Sequence, residues 1–266
     1  MPESSNYPKV VATKHDHYAK IIFSNPSRRN AMTMVMWKQL YEHICQLEAD
    51  SDIRVIALTG DGQKAFVSGA DISEFKILRQ DAKKSAAYNQ IVAQAENKLS
   101  ECSKPTVALI DGYCIGGGMG IAMSCDIRIA TPVSKFGIPA AKLGLGYPLS
   151  NIQRLVALVG MAKASEILFT GRLFDHKAAL QIGLINHVIV SEELMSFSNL
   201  IINDIAHNAP LTIKAAKTAI MSTLPTTSSE DLKQISNAIN ACFDSQDYAE
   251  GCLAFMEKRD PIFYGN

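Results

Sequence analysis

The stretch Val107–Ala130, VALIDGYCIGGGMGIAMSCDIRIA, decides how the chain is read. An apolar run ends at Ile110 and Asp111-Gly112 turns the chain. The triple glycine Gly116-Gly117-Gly118 then leads into a small-residue helix through Met123. Cys125-Asp126 closes the helix, and Ile127 to Ala130 is a second apolar run. The order is strand, glycine turn, helix, strand. Glycines at a helix start let the backbone approach another group closely, because no Cβ stands in the way. The first N–H groups of a helix lack internal acceptors and carry partial positive charge. A developing negative charge is held at such a turn by backbone alone. A dinucleotide site is the competing use, but Ile121 falls where G-x-G-x-x-G needs its third glycine.

Working outward, the N-terminal side predicts strands at Val10–Thr13 and Ala19–Phe23, then a polar loop from Asn25 to Asn30. A helix follows, with Asn30 or Thr33 as candidate N-cap and Met36, Leu40, Ile44 and Leu47 as its inward stripe. Ile53–Thr59 and Ala65–Val67 read as strands. Ser68-Gly69-Ala70-Asp71-Ile72 reads as a second tight strand-to-helix turn. Ala82–Leu99 has helical periodicity, with Ile91, Ala95 and Leu99 on one side. On the C-terminal side, Lys135–Gly137 is extended and residues 143–148 form a glycine-rich loop. Helices are expected at 149–159, 162–169, 175–181, 192–207, 211–222 and 229–258, with a last short strand near Val188. Strands alternate with helices early and helices dominate late, which predicts an α/β core over 1–190 and a helical region over 191–266.

The chain has 266 residues, 47% hydrophobic, with 26 basic and 26 acidic side chains that cancel. A neutral balance argues against a nucleic-acid or membrane surface as the main partner. The six cysteines show no C-x-x-C pair and no ligand spacing, and the six histidines are scattered, so reduced core thiols and no metal site are expected. No stretch approaches the ~18 apolar residues of a membrane span, and MPESSNYPKV lacks the apolar segment of an export signal. A soluble, cytoplasmic protein is the expectation.

Several motifs in series resemble the enoyl-CoA hydratase/isomerase family, the crotonase superfamily. They are Ser68–Ile72, Gly112–Gly118, Phe136-Gly137-Ile138-Pro139, Phe169-Thr170-Gly171-Arg172, Ala178–Asn186 and Phe255-Met256-Glu257-Lys258-Arg259. The resemblance implies a spiral of ββα units with a helical C-terminal trimerisation region, assembled as a homotrimer or homohexamer. It implies an acyl-CoA thioester substrate, no cofactor beyond the coenzyme A of that substrate, and a thioester enolate held by the backbone N–H groups of Ala70 and Gly117. It places coenzyme A contacts at Arg28, Arg29, Ala31, Ser68, Ala70, Asp71, Ile72, Gly117 and Gly118. The two arginines suit phosphate recognition.

The sequence departs from the pattern where hydratases carry two glutamates. Gly120 and Ala140 occupy those positions, and neither moves a proton. One positioned acid or base contributes ~10²–10⁴-fold in rate, so hydration is expected to fall short by at least ~10²-fold. Tyr147, in Gly144-Leu145-Gly146-Tyr147, resembles the loop tyrosine of the methylmalonyl-CoA decarboxylase branch, whose enolate forms without a base. Enoyl-CoA hydration, malonyl- or methylmalonyl-type decarboxylation and acyl-CoA binding without turnover therefore stand side by side. Asp126 reads as a structural carboxylate at a turn. Tyr88 and Tyr113 read either as core or as borders of an acyl pocket.

Overall fold

The computed structural model describes residues 7–78, 82–223 and 245–247, together with 250, 254, 257, 259 and 261–266. Strands β1 (Lys9–His15) and β2 (Tyr18–Ser24) form an antiparallel hairpin. Along β2 the odd-numbered residues Ala19, Ile21 and Phe23 are buried, the period of a half-buried strand. Helix α1 (Met34–Ala49) follows, and the structure selects Thr33 as its N-cap, with Oγ1 accepting from Met36 N–H at 3.3 Å. Asn30, the other candidate, is left-handed (φ 56°) and donates from Nδ2 to the Ala65 carbonyl at 2.7 Å. Its Oδ1 already accepts from Asn25 N–H at 3.0 Å, so the acceptor that a cap needs is engaged within the 25–31 loop.

Three strand pairs come next. In each, the first strand joins one sheet and the second joins another: β3 (Val55–Gly60) and β4 (Ala65–Val67), β5 (Thr106–Ile110) and β6 (Tyr113–Ile115), β7 (Ile127–Ala130) and β8 (Lys135–Gly137). Helices α2 (Phe75–Leu78) and α3 (Ala82–Glu101) follow the first pair, and α4 (Gly117–Ser124) follows the second. The six-stranded sheet runs β1-β2-β3-β5-β7-β10 and the four-stranded sheet β4-β6-β8-β9, closed by β9 (Phe174–Asp175) and β10 (His187–Val188). Each turn of the chain adds one strand to each sheet, which is the expected spiral of ββα units. Phe23 of one sheet and Phe66 of the other meet edge to face, centroids 5.5 Å apart.

Strands β3 and β5 are apolar on both faces because both faces are covered. Ile56, Leu58, Ala108 and Ile110 point into the core between the sheets. Val55, Ala57, Val107 and Leu109 alternate to the outer face, under helix α7 (Leu194–His207). Before α7 come α5 (Leu149–Thr170) and α6 (His176–Gln181), and after it α8 (Pro210–Ser222). The break expected near residue 160 is a kink inside α5, where Gly160 takes φ 75°. Arg54, at the entry to β3, donates to the carbonyls of Ala206 and Phe263, at 2.9 and 2.7 Å, tying the chain end to the sheet. The helix expected over 229–258 falls mostly on residues outside those described, as do its stripe Leu232, Ile235, Ile239 and Phe243, and Cys242 and Cys252.

Three short elements differ from the sequence reading. β6 lies within the segment read as turn, and β9 was not anticipated; two or three residues show no period of their own, and the neighbouring sheet edge supplies their partners. The Ser68–Ile72 turn enters a 3₁₀ turn, Ile72–Glu74, capped by Asp71, and then the single turn of α2. Ala70 therefore forms an isolated parallel β-bridge with Met32 and does not sit at the N-terminus of a full helix.

Candidate functional site

Both glycine-rich turns open on one cavity. It has an empty volume of about 860 Å³ counting the open solvent at its mouth. Gly117, the first residue of α4, and Ala70, after β4, face each other across its floor; a Cβ on Gly117 would stand 3.9 Å from Ala70 N. Gly116, at φ 53° and ψ −107°, swings the chain from β6 into α4, a conformation glycine adopts without penalty. The Trp37 ring from α1 closes the floor, 3.1 Å from the same Cβ position.

The turn bearing Ala70 is fixed from both sides. Met32 N–H donates to Gly69 O and Asp71 N–H to Met32 O, each at 2.8 Å. The Asp71 carboxylate accepts from Ser73 N–H at 3.0 Å, Ser73 Oγ at 2.7 Å and Arg28 Nη1 at 2.8 Å. Ser68 Oγ donates to Arg28 O at 3.1 Å.

Of the residues singled out in sequence, Ser68, Ala70, Ile72, Gly117, Ala140 and Tyr147 line this cavity. Asp71 is buried under the turn, and Arg28 is engaged with it while its own surface stays half exposed. Arg29 lies over the Tyr113 ring, 5.0 Å from its centroid. Ala31 is buried, and Gly118 packs its bare Cα against Val67 of β4. Tyr147 donates its hydroxyl to Gly116 O at 3.2 Å, and burial pushes the phenol well above its ordinary range. Tyr88 is buried and lines the same cavity, its ring edge-on to Phe75. Asp126 accepts from Thr106 N–H, Thr106 Oγ1 and Lys217 Nζ at 2.7, 2.9 and 2.8 Å, as expected of a structural carboxylate. Cys102, Cys114 and Cys125 are buried free thiols, and burial pushes the Cys125 thiol up to about 12.

One residue of the cavity wall escaped the sequence reading. Glu96, on α3, is buried and lines the cavity. Its Oε2 accepts from Asn151 Nδ2 at 2.9 Å; Oε1 has no partner among the described residues. Asn151 in turn accepts from Arg154 Nη1 at 2.9 Å. Burial lifts the Glu96 carboxyl from its ordinary 4.5 to about 7, against the opposing pull of Asn151 and Arg154. A signal was present in sequence. Tyr88, Val92 and Glu96 follow each other at four-residue spacing, so the carboxyl continues an apolar row facing inward.

The fold and the site together define a class. The sequence profile described as Enoyl-CoA hydratase/isomerase matches residues 13–266. The short-chain-enoyl-CoA hydratase of Clostridium acetobutylicum is 36% identical over 250 residues, 94% of this chain and 95% of that protein. The crotonyl-CoA hydratase of Syntrophomonas wolfei is 31% identical, covering 97% of this chain and 98% of its own. Among solved structures, an enoyl-CoA hydratase/carnithine racemase from Magnetospirillum magneticum superposes with a TM-score of 0.90 at 33% identity, covering 97% of this chain and 96% of that one. The chain belongs to the enoyl-CoA hydratase/isomerase family. No described helix is long and apolar enough to cross a membrane.

Proposed function

We propose that this protein acts on a short acyl-CoA thioester by enolate chemistry, and that hydration of a 2-enoyl-CoA is its reaction. One observation carries the reading: Ala70 and Gly117 line one largely apolar cavity, a Cβ on Gly117 standing 3.9 Å from Ala70 N. A thioester oxygen set between them gains two donors at the moment charge moves onto it, in a site where few other dipoles compete. Family membership supports the substrate class, since relatives are named for enoyl-CoA hydration. Two features support hydration over decarboxylation. A carboxyl able to move protons lines the cavity at Glu96, and the Tyr147 hydroxyl is already donated to Gly116 O. Water supplies the remaining reactant. In this reading Arg28 and Arg29 meet coenzyme A phosphates, while Ser68 and Ile72 border the thioester arm.

Assembly as a homotrimer or homohexamer belongs to the same proposal, as does a cytoplasmic location.

The test is steady-state turnover of crotonyl-CoA and methylmalonyl-CoA by the purified chain, with affinity for the unreactive butyryl-CoA measured alongside. Hydration of crotonyl-CoA without decarboxylation is expected. Gly117→Pro removes one N–H at a first-turn position and should lower kcat about 10²–10³-fold in a variant whose Tm stays close to wild type. Butyryl-CoA binding with no turnover of either substrate would sink the reading and leave a binding protein.

A further inference from the structure

We propose that Glu96, reaching in from α3, is the proton-transfer residue of this site and stands where a side chain at position 120 would otherwise project. The inference rests on the hydration reading above and names the residue that performs it.

The geometry comes first. A Cβ built on Gly120 would overlap Glu96 Oε1 outright and would lie 3.0 Å from both Glu96 Cδ and Asn151 Nδ2. The bare glycine on α4 thus opens the volume that the Glu96 carboxyl fills. This volume adjoins the Gly117 end of the cavity, one helical turn from the N–H that receives the thioester oxygen. A packed interior would favour an apolar group, and among the described residues only one of the two oxygens is satisfied. The surroundings orient it. Asn151 fixes Oε2, Arg154 fixes Asn151 and also donates to Asn97 Oδ1 at 2.8 Å, and Oε1 is left for a ligand.

The step balances with water alone. The Glu96 carboxylate takes one proton from water as the water oxygen bonds to the β-carbon of the enoyl thioester. The π pair of the Cα=Cβ bond shifts to join Cα to the thioester carbon, and the carbonyl π pair moves onto the thioester oxygen, held by Ala70 and Gly117 N–H. The resulting carboxylic acid then returns a proton to the α-carbon, the enolate collapses to the thioester, and Glu96 is a carboxylate again. One carboxyl serves as base and then acid, so Ala140 leaves no gap in the sequence of steps.

The charge environment sets the working range. From α5, Arg154 favours the carboxylate; from the 144–148 loop, the Tyr147 phenol stays protonated; α4 brings no ionisable side chain. Burial outweighs Arg154, and the group titrates at about 7. Acting as base, it must start ionised, so kcat/KM should fall on acidification below about pH 7 with the slope of a single proton.

The experiment compares wild type, Glu96→Gln, Gly120→Ala and the double variant Glu96→Gln/Gly120→Ala. Each is assayed for crotonyl-CoA hydration across pH 5–9 and for butyryl-CoA affinity. Glu96→Gln should lose about 10²–10⁴-fold in kcat/KM, keep its butyryl-CoA affinity within a few-fold, and lose the acid limb. Gly120→Ala should displace the carboxyl and lower kcat/KM, and the double variant should be no slower than Glu96→Gln, because both changes remove one group. Should Gly120→Ala not fold, the rate and pH profile of Glu96→Gln decide alone. A wild type that hydrates crotonyl-CoA while Glu96→Gln keeps its rate and its acid limb would overturn the role of Glu96 and leave the hydration reading standing. A wild type that binds butyryl-CoA and hydrates nothing would overturn both.

Discussion

Glu96 also leaves a mark on stability that is separate from turnover. Its folded carboxyl titrates at about 7 against an ordinary 4.5, so between those values the folded chain binds more protons than the unfolded one. Stability from this group therefore falls as pH rises from 4.5 through 7 and is level above. The full effect is on the order of 3 kcal/mol. Glu96→Gln cannot ionise, so its urea midpoint should exceed that of wild type at pH 8 and match it near pH 5. Carboxyls shifted the other way, such as Asp50 under the hydrogen bond from Lys14, favour the fold as pH rises and cancel in the comparison. An equal midpoint difference at both values of pH would mean that the carboxyl is not desolvated in solution.

At the scale of elements, the spiral depends on backbones passing very close where one sheet hands the chain to the other. Gly112, between β5 and β6, has φ 80°, and a Cβ there would overlap the Lys64 carbonyl and lie 2.9 Å from Ala65 N. Two costs combine at this corner, left-handed strain and overlap with rigid backbone. Gly112→Ala should cost about 3 kcal/mol or more. Gly146, in the loop before α5, has nothing within 4 Å of a Cβ and no left-handed φ. Gly146→Ala should fall within about 0.5 kcal/mol of wild type. Chemical denaturation of the two variants side by side checks the contrast. Comparable losses would remove the close crossing as the reason for glycine at 112. Tyr147 acts at this scale too, since its bond to Gly116 O braces the turn into α4.

For the whole molecule, the outer surface carries apolar side chains that a lone chain would leave in water. Leu149, Met161 and Phe169 on α5 are 70%, 77% and 78% exposed, and Ile220 on α8 is 67% exposed. Apolar groups at this density favour association, and soluble homo-oligomers close by symmetry. Sedimentation across a dilution series should give three or six times the 29.0 kDa of the chain. A constant 29.0 kDa species would remove the assembly from the proposal.

The sequence by itself determined the alternation of strands and helices and the two glycine turns, while the spiral followed from the family resemblance. Glycine turns and alternating apolar runs are local signals: Gly116-Gly117-Gly118 allows only a few backbone paths, and the odd-numbered stripe of β2 must face a core. The same local logic read Asp126 as structural and put a break near Gly160 in α5. What only the tertiary structure decided was how groups far apart in sequence meet. The Asn30 amide reaches the carbonyl of Ala65, 35 residues further on, while Thr33 caps α1. Arg28 and Asp71, 43 residues apart, hold each other. Position 120, read as a missing acid, is open because Glu96 arrives from 24 residues earlier to fill it. Periodicity assigns a residue to a face of its own helix, but it does not say which atoms of another helix lie opposite. That depends on the packing angle of α3 against α4 and on the one glycine that lets a carboxyl through.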